Sequence, residues 1–487
     1  MLKDQLNSQR WRLTAIQKSA AGIVCCARAT EGPNKLRAVI VSEAKSNSIC
    51  RTTSVVPMKV EDESKTSDDI EPKPKTTSSL MAQVLDRDNL TRALKQVKRN
   101  KGAPGIDGIT VDALSAYLKQ YWPRIKMHLA LGTYHPKPAR RVEIPKPDGR
   151  KRKLGIPGVV DRLIQQAIAQ VLQSTWDDSF HDHSYGFRPN KSAHQAIRHA
   201  QSTIRSGKDW VVDCDIESFF DEVNHDVLMT RLRTKVKDDD LLELIKRYLK
   251  AGVWAGGKPV RSTKGVPQGS PLSPVLSNIL LNDLDWELER RGYQFARYAD
   301  DFQIYVGSQE AGERLMTHLQ HYLGDVLRLK VQKTKSAVDR PCKRTFLGFG
   351  FSRRGCRLKV SDNATEKLKA KVRQLSRRTR GHSMRQIMAE LKKSLLGWKA
   401  YFGIAEVMSP LRDLDKWVRR KLRCYVWKQW GRSGYRQLRR RGVSRQLAWN
   451  TAKSAHGPWR LSASPALARG LPNSYFRDLG LPELCPR

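Results

Sequence analysis

Apolar residues in LDRDNLTRALKQVKRNKG fall at Leu90, Ala93, Leu94 and Val97. This three-and-four spacing predicts a helix, capped by Asp88 or Asn89 and ended by Gly102. The same period predicts helices in DRLIQQAIAQVLQSTW and DDDLLELIKRYLKA. WVVDCDIESFF and YQFARYADDFQIYV read instead as strands, and a hairpin is expected between Val142 and Ile156. Up to Leu358, helices and strands mix without the regular alternation of a doubly wound sheet, which gives an α/β (α+β) class. After RLKVSDN three long helices are expected. In LRDLDKWVRRKLRCYVWKQW, residues Leu411, Leu414, Trp417, Val418, Leu422, Tyr425 and Val426 make an apolar stripe between mostly Arg and Lys positions.

Residues 1–57 are basic and acid-poor, with one short apolar run, AAGIVCCA. They read as an organellar transit peptide or as an extension with no folded role. The segment KVEDESKTSDDIEPKPKTTSS reads as a disordered linker, so order should begin near LDRDNLTRALKQVKRNKG. The 487 residues carry 90 Lys and Arg against 48 Asp and Glu, a formal charge of +42. A polyanionic partner is the simplest counterpart of that excess. A membrane surface fits less well, because the basic residues spread along the whole chain and no apolar run approaches the ~20 residues of a span. From Ser361 to Arg445 there are 24 Lys and Arg against 6 Asp and Glu, as suits a surface tracking a phosphate backbone. The eight cysteines form no paired C-x-x-C knuckles and read as reduced thiols of an intracellular protein.

Against this positive background, carboxylates gather at two strand ends. One is FARYADDFQIYVG, with Asp300 and Asp301; the other is VVDCDIESFFD, with Asp213, Asp215, Glu217 and Asp221. A solvated turn is one reading, since Asp is common in turns. A site for hard divalent cations is the other. Two metals about 4 Å apart serve in-line nucleotidyl transfer, and holding both takes carboxylates from more than one backbone segment. Asp215, Asp300 and Asp301 would supply them. Cations of RRVEIPKPDGRKRKLGIP can hold phosphates, and the Gly/Pro turn of GVPQGSPLSPVLSNILL lets backbone N–H groups approach a nucleotide.

The ordered series NKGAPGIDGIT, RRVEIPKPDGRKRKLGIP, SYGFRPNKSAH, DCDIESFFDEVNH, GVPQGSPLSPVLSNI, RYADDF and RTFLGFGF resembles the fingers and palm of a group II intron-encoded reverse transcriptase. LLGWKAYF and WVRRKLRCYVWKQWG resemble that family's thumb, the maturase or X region. The resemblance runs from about Leu80 to the C-terminus and implies a right-hand polymerase. Its expected division is an extension and linker over 1–80, fingers and palm over 81–360, a helical thumb/maturase domain over 361–445, and a short DNA-binding-like segment over 446–487.

It also implies an RNA-directed DNA polymerase using two Mg²⁺ ions, with Asp215, Asp300 and Asp301 as catalytic ligands and Ile216 in the metal set. Lys146 and Arg152 match the triphosphate-holding cations, Gln268 the position packing the incoming nucleotide, and Lys335 a cation near the active site. Gln332 departs from the family's usual Asn or Ser. Either Phe219 or Phe220 is the steric gate against a ribose 2′-OH. The expected partners are the host intron RNA, which the protein helps splice, a DNA target and dNTPs. Arg419, Arg420, Lys421 and Arg423 are the expected RNA contacts, and the expected location is a cytoplasmic ribonucleoprotein in a bacterium. His181 and His183 read as fold-supporting or surface residues, since the family has no metal there. Beyond Leu447 the sequence lacks the Cys and His pairs of the HNH endonuclease found in some members. The alternatives are a related enzyme recruited to phage defence or CRISPR adaptation, and a maturase that binds RNA without polymerising.

Overall fold

A computed structural model describes residues 79–145, 149 and 151–485. The expectations for the N-terminal extension and most of the linker, and for Lys146, lie outside the described residues.

Helix α1 (Leu80–Val84) leads into α2 (Arg87–Asn100), α3 (Leu114–Ala130), strands β1 (Ala139–Pro145) and β2 (Lys151–Ile156), then α4 (Val159–Trp176) and α5 (Ala193–Arg205). The cap of α2 is Asp86, not Asp88 or Asn89: its carboxylate accepts the Asp88 and Asn89 amides at 2.9 and 3.0 Å. Those two amide bonds, the Asn89 one foremost, hold the Asp86 pKa below its usual value. Asn89 has a different task. Buried, it donates to the Val84 and Ala167 carbonyls and so pins α2 to α4. The helix ends at Asn100 because Lys101 turns left-handed (φ 47°), one residue before the expected glycine.

β3 (Trp210–Cys214) precedes α6 (Phe219–Glu222), α7 (His225–Lys235), α8 (Asp239–Lys250), β4 (Val253–Ala255), β5 (Lys258–Val260) and α9 (Ser273–Arg290). Then come β6 (Gln294–Tyr298), β7 (Asp301–Val306), α10 (Gln309–Asp325), β8 (Ala337–Asp339), β9 (Thr345–Phe346), β10 (Phe349–Phe351) and β11 (Leu358–Val360). The expected hairpin is present, with Val142 opposite Leu154, and joins β4 and β5 in a sheet of order β2-β1-β4-β5. The central sheet runs β6-β7-β3-β8, antiparallel throughout, and β11-β10-β9 form a third. Alternation sends Val212 and Cys214 into a large core with α4 and α9, and Val211 with Tyr305 into a smaller one beside Phe349 and Leu358.

The expected three long helices are α11 (Asp362–Leu375), α12 (Met384–Phe402) and α13 (Ser409–Trp430). Their facing leucines and valines share one core with α14 (Gly434–Arg440), α15 (Arg445–Lys453), α16 (Pro458–Leu461), α17 (Pro465–Gly470) and α18 (Asn473–Asp478). Ala448, Leu467, Leu471 and Phe476 are completely buried there, so residues 446–485 pack as part of the helical body. Among the described residues, no helix is long and apolar enough to cross a membrane.

Candidate active site

The central sheet's register brings the two acidic strand ends together. Asp213 pairs with Gln303 and Cys214 with Phe302. Continuing one step past the paired residues sets Asp215 opposite Asp301. Period two then places Asp213 and Asp215 on the face of β3 that carries Val211, and Asp301 on the matching face of β7. Asp300 sits in the two-residue turn that Tyr298 and Asp301 close.

These carboxylates repel one another in a walled site. Asp301 reaches solvent, yet the surrounding protein strips away much of its hydration, and Asp213, Asp300 and Asp215 add their charges. Its pKa is pushed up to about 8. Burial also raises Asp300 and Asp213, while Arg152 and Arg344 respectively pull them back. Cations sit on the cluster: Lys335 Nζ lies 2.7 Å from Asp215 Oδ2, and Arg344 Nη1 lies 3.9 Å from Asp213 Oδ2. Oxygen donors from two strands with negative charge in excess fit Mg²⁺. Ile216 has no side-chain donor and is buried in a bridge to Val331, so only its backbone carbonyl could serve.

The other expected residues divide. Arg152 on β2 donates to Gln268 Oε1 at 2.7 Å, and the Gly155 amide donates to the Gln268 carbonyl, so hairpin and glycine-rich turn meet. Phe219 is 2% exposed and belongs to the core, whereas Phe220 is half-buried beside it with ring centroids 5.1 Å apart. Of the two rings, Phe220 is the one with substantial surface left exposed.

The four basic residues on α13 are turned toward the chain itself. Arg419 pairs with Glu483, and Arg420 donates to the Trp459 carbonyl and covers its ring at 4.3 Å. Lys421 lies 5.9 Å from the same ring centroid. Arg423 donates to the Leu471 carbonyl and to Asn473. All four are only partly exposed; Lys367, Arg385, Lys393 and Arg412 are among the exposed cations of α11 to α13.

His181, His183 and Glu289 bring possible ligand atoms within 4.8 Å of one another. However, His181 Nδ1 accepts the His183 amide, which leaves the ring proton on Nε2, facing Glu289 Oε2 at 3.2 Å. A protonated Nε2 has no lone pair for a cation.

Sequence reasoning passed over Arg297, Asp285 and Asn278, all completely buried beneath the Asp300 turn. The signal available was a charged residue in the apolar strand FARY. Asp213 was noted for its charge; alternation puts it on the face of Asp215, but its nearness to Asp301 follows only from the pairing.

Comparison with known proteins accords with this geometry. Residues 144–351 match the family described as reverse transcriptase (RNA-dependent DNA polymerase), and residues 365–443 match the group II intron, maturase-specific domain. Protein YkfC of Escherichia coli (strain K12) is 32% identical over 289 residues, 51% of this chain and 76% of that protein. The group II intron-encoded protein LtrA of Lactococcus lactis subsp. cremoris is 38% identical over 194 residues, 40% of this chain and 32% of that one. A solved partial Cas6-RT-Cas1–Cas2 complex is 25% identical with a TM-score of 0.33, over 51% of this chain and 43% of that one.

Proposed function

The chain belongs to the reverse transcriptases that carry a group II intron maturase domain, and from that premise we propose that it copies RNA into DNA and assists its host intron. In the reaction, the primer 3′-oxygen bonds to the α-phosphorus of a dNTP as the bond to the β-phosphate breaks, and pyrophosphate leaves. Asp215, Asp300 and Asp301 would hold two Mg²⁺ ions, which when bound activate the 3′-hydroxyl and stabilise charge at the leaving group. The observation that carries this reading is the register that sets Asp215 opposite Asp301 beside Asp300.

Other residues take supporting parts. Arg152, fixed by Gln268, presents its remaining guanidinium donors to the triphosphate, in the geometry that suits phosphate oxygens. Lys146 is assigned to the triphosphate on the resemblance. Phe220 faces the sugar and excludes a 2′-hydroxyl. Lys335 holds Asp215 in place until a stronger cation arrives. The exposed cations of α11 to α13 grip structured intron RNA through its phosphates rather than its base edges. Fingers and palm end near residue 360, the thumb follows, and the protein works as a cytoplasmic ribonucleoprotein that delivers the intron to DNA.

Primer extension on an RNA template tests this. Asp301→Asn should abolish cDNA synthesis, because a neutral amide cannot replace the negative charge of a carboxylate that would hold Mg²⁺, while intron RNA binding stays at the parent's level. A variant that extends primers as the parent does would overturn the role given to Asp301, and a parent that extends none would overturn the polymerase reading.

A further inference from the structure

Asp300 lies in a turn whose other central residue, Ala299, is not a turn former. Two-residue hairpin turns favour Asn-Gly or Gly-X, because their central positions need positive φ. Here the two residues are Ala299 and Asp300, and Ala299 is left-handed with φ 61°. A residue with a Cβ adopts that conformation only where its surroundings hold it.

The surroundings do so through one side chain. Arg297 Nη1 donates to the Ala299 carbonyl at 3.0 Å and to Asn278 Oδ1 at 3.0 Å. Arg297 Nε donates to Asp285 Oδ1 at 2.7 Å, and Nη2 bonds the other oxygen of the same carboxylate. Arg297, Asp285 and Asn278 are all completely buried. Asn278 Nδ2 donates to the Gly186 carbonyl at 2.8 Å, and a Cβ on Gly186 would lie 2.3 Å from the Ala299 nitrogen. The chain around Gly186 thus presses against the turn while Asn278 holds it there. The Arg297 backbone is fixed on both sides, donating to His183 and accepting from Tyr185.

A buried Arg–Asp pair does not by itself mark function, since such pairs are as stable when replaced by apolar residues. What distinguishes this one is where the remaining donor goes. It reaches the carbonyl that precedes Asp300. We propose that Arg297 is a positioning residue for polymerisation: its guanidinium, its plane set by Asp285 and Asn278, fixes the Ala299–Asp300 turn and with it the places of the Asp300 and Asp301 carboxylates. The proposal rests on the metal-dependent reading above.

The test uses the full chain and Mn²⁺ as a probe, its affinity measured without nucleic acid by the paramagnetic signal of the free ion. Asn278→Ala removes one support of the guanidinium and leaves the Arg–Asp pair. Arg297→Lys keeps a charge for Asp285 and loses the planar fork. Melting and primer–template binding are followed in parallel with kcat and KM for dNTP. The expected result is a folded variant with the parent's primer–template affinity, kcat lowered, and Mn²⁺ bound roughly 10–100-fold more weakly, the usual effect of losing a group that orients ligands. A merely structural role would lower the melting temperature and leave the Mn²⁺ affinity of the folded protein unchanged. That outcome in either variant overturns the proposal, and Asn278→Ala alone decides it if the lysine variant does not fold. Asp301→Asn calibrates the assay. A parent that binds no Mn²⁺, or binds it independently of Asp301, overturns the metal reading and this proposal together. Normal Asp301-dependent binding with indifferent variants overturns the positioning role alone.

Discussion

Arg423→Ala should loosen the C-terminal segment rather than weaken RNA contact. The guanidinium leaves α13 and donates to the Leu471 carbonyl at 3.0 Å and to Asn473 Oδ1 at 2.9 Å, with Phe476 beneath it at 5.8 Å. Leu471 and Phe476 are completely buried, so the freed carbonyl has poor access to water. Hydrogen bonds from charged donors contribute about 1.5–3 kcal/mol each, and the one to Asn473 is exposed, so the two together come to about 2–4 kcal/mol. In a chain of this size that loss need not unfold the whole protein; it should first open the unit that contains α17 and α18. Hydrogen exchange followed by mass spectrometry reads this directly. Amides in residues 465–485 should lose protection by roughly 30-fold or more, while those in the central sheet hold theirs. RNA binding across a salt series supplies the contrast, because each lost phosphate contact lowers the log–log slope by about one. Unchanged exchange together with a slope lowered by about one would refute the argument and return Arg423 to the RNA-contacting surface.

Period and register were legible in the sequence wherever the partner of a residue was near in the chain. The Val142–Ile156 hairpin and the strands on both sides of Asp300 come from alternation around local turn residues, so one sequence suffices to find them. Asp86 was missed because Asp86, Asp88 and Asn89 can all cap a helix, and the choice fell to the buried bonds of Asn89. Arg297 is the opposite case: its partners lie at positions 278, 285 and 299 and at the backbones of His183 and Tyr185. Nothing in the FARY strand tells which buried groups a guanidinium will find. The α13 cations show the same limit from the other side. Composition gave their sign correctly, but whether they meet phosphates or backbone carbonyls depended on how residues 459–483 fold back. Charge counts constrain partners of a surface, and they leave open which charges the chain uses itself.

Three further outcomes are expected. Phe220→Ala should relax discrimination against ribonucleotides by about tenfold or more, read as the ratio of kcat/KM for dNTP and NTP. Phe219→Ala should instead cost about 3–5 kcal/mol of stability in urea denaturation, because its ring is core; equal effects of the two changes on discrimination would sink the assignment. The last concerns Asp161, buried in the first turn of α4, whose carboxylate accepts the hydroxyls of Tyr134 at 2.8 Å and Tyr248 at 3.2 Å. Burial outweighs those bonds and pushes its pKa up to about 6 from a usual 3.8. The folded state therefore binds more protons than the unfolded one across that interval, and stability falls as pH rises from about 4 to about 6, by on the order of 3 kcal/mol. Urea midpoints for the parent and Asp161→Asn at several pH values isolate this contribution, since the amide cannot titrate. The parent should lose stability relative to the variant through that window and hold a constant difference above it. A difference that stays flat from pH 4 to 7 would mean that Asp161 is charged in the folded protein throughout, satisfied by its two tyrosines.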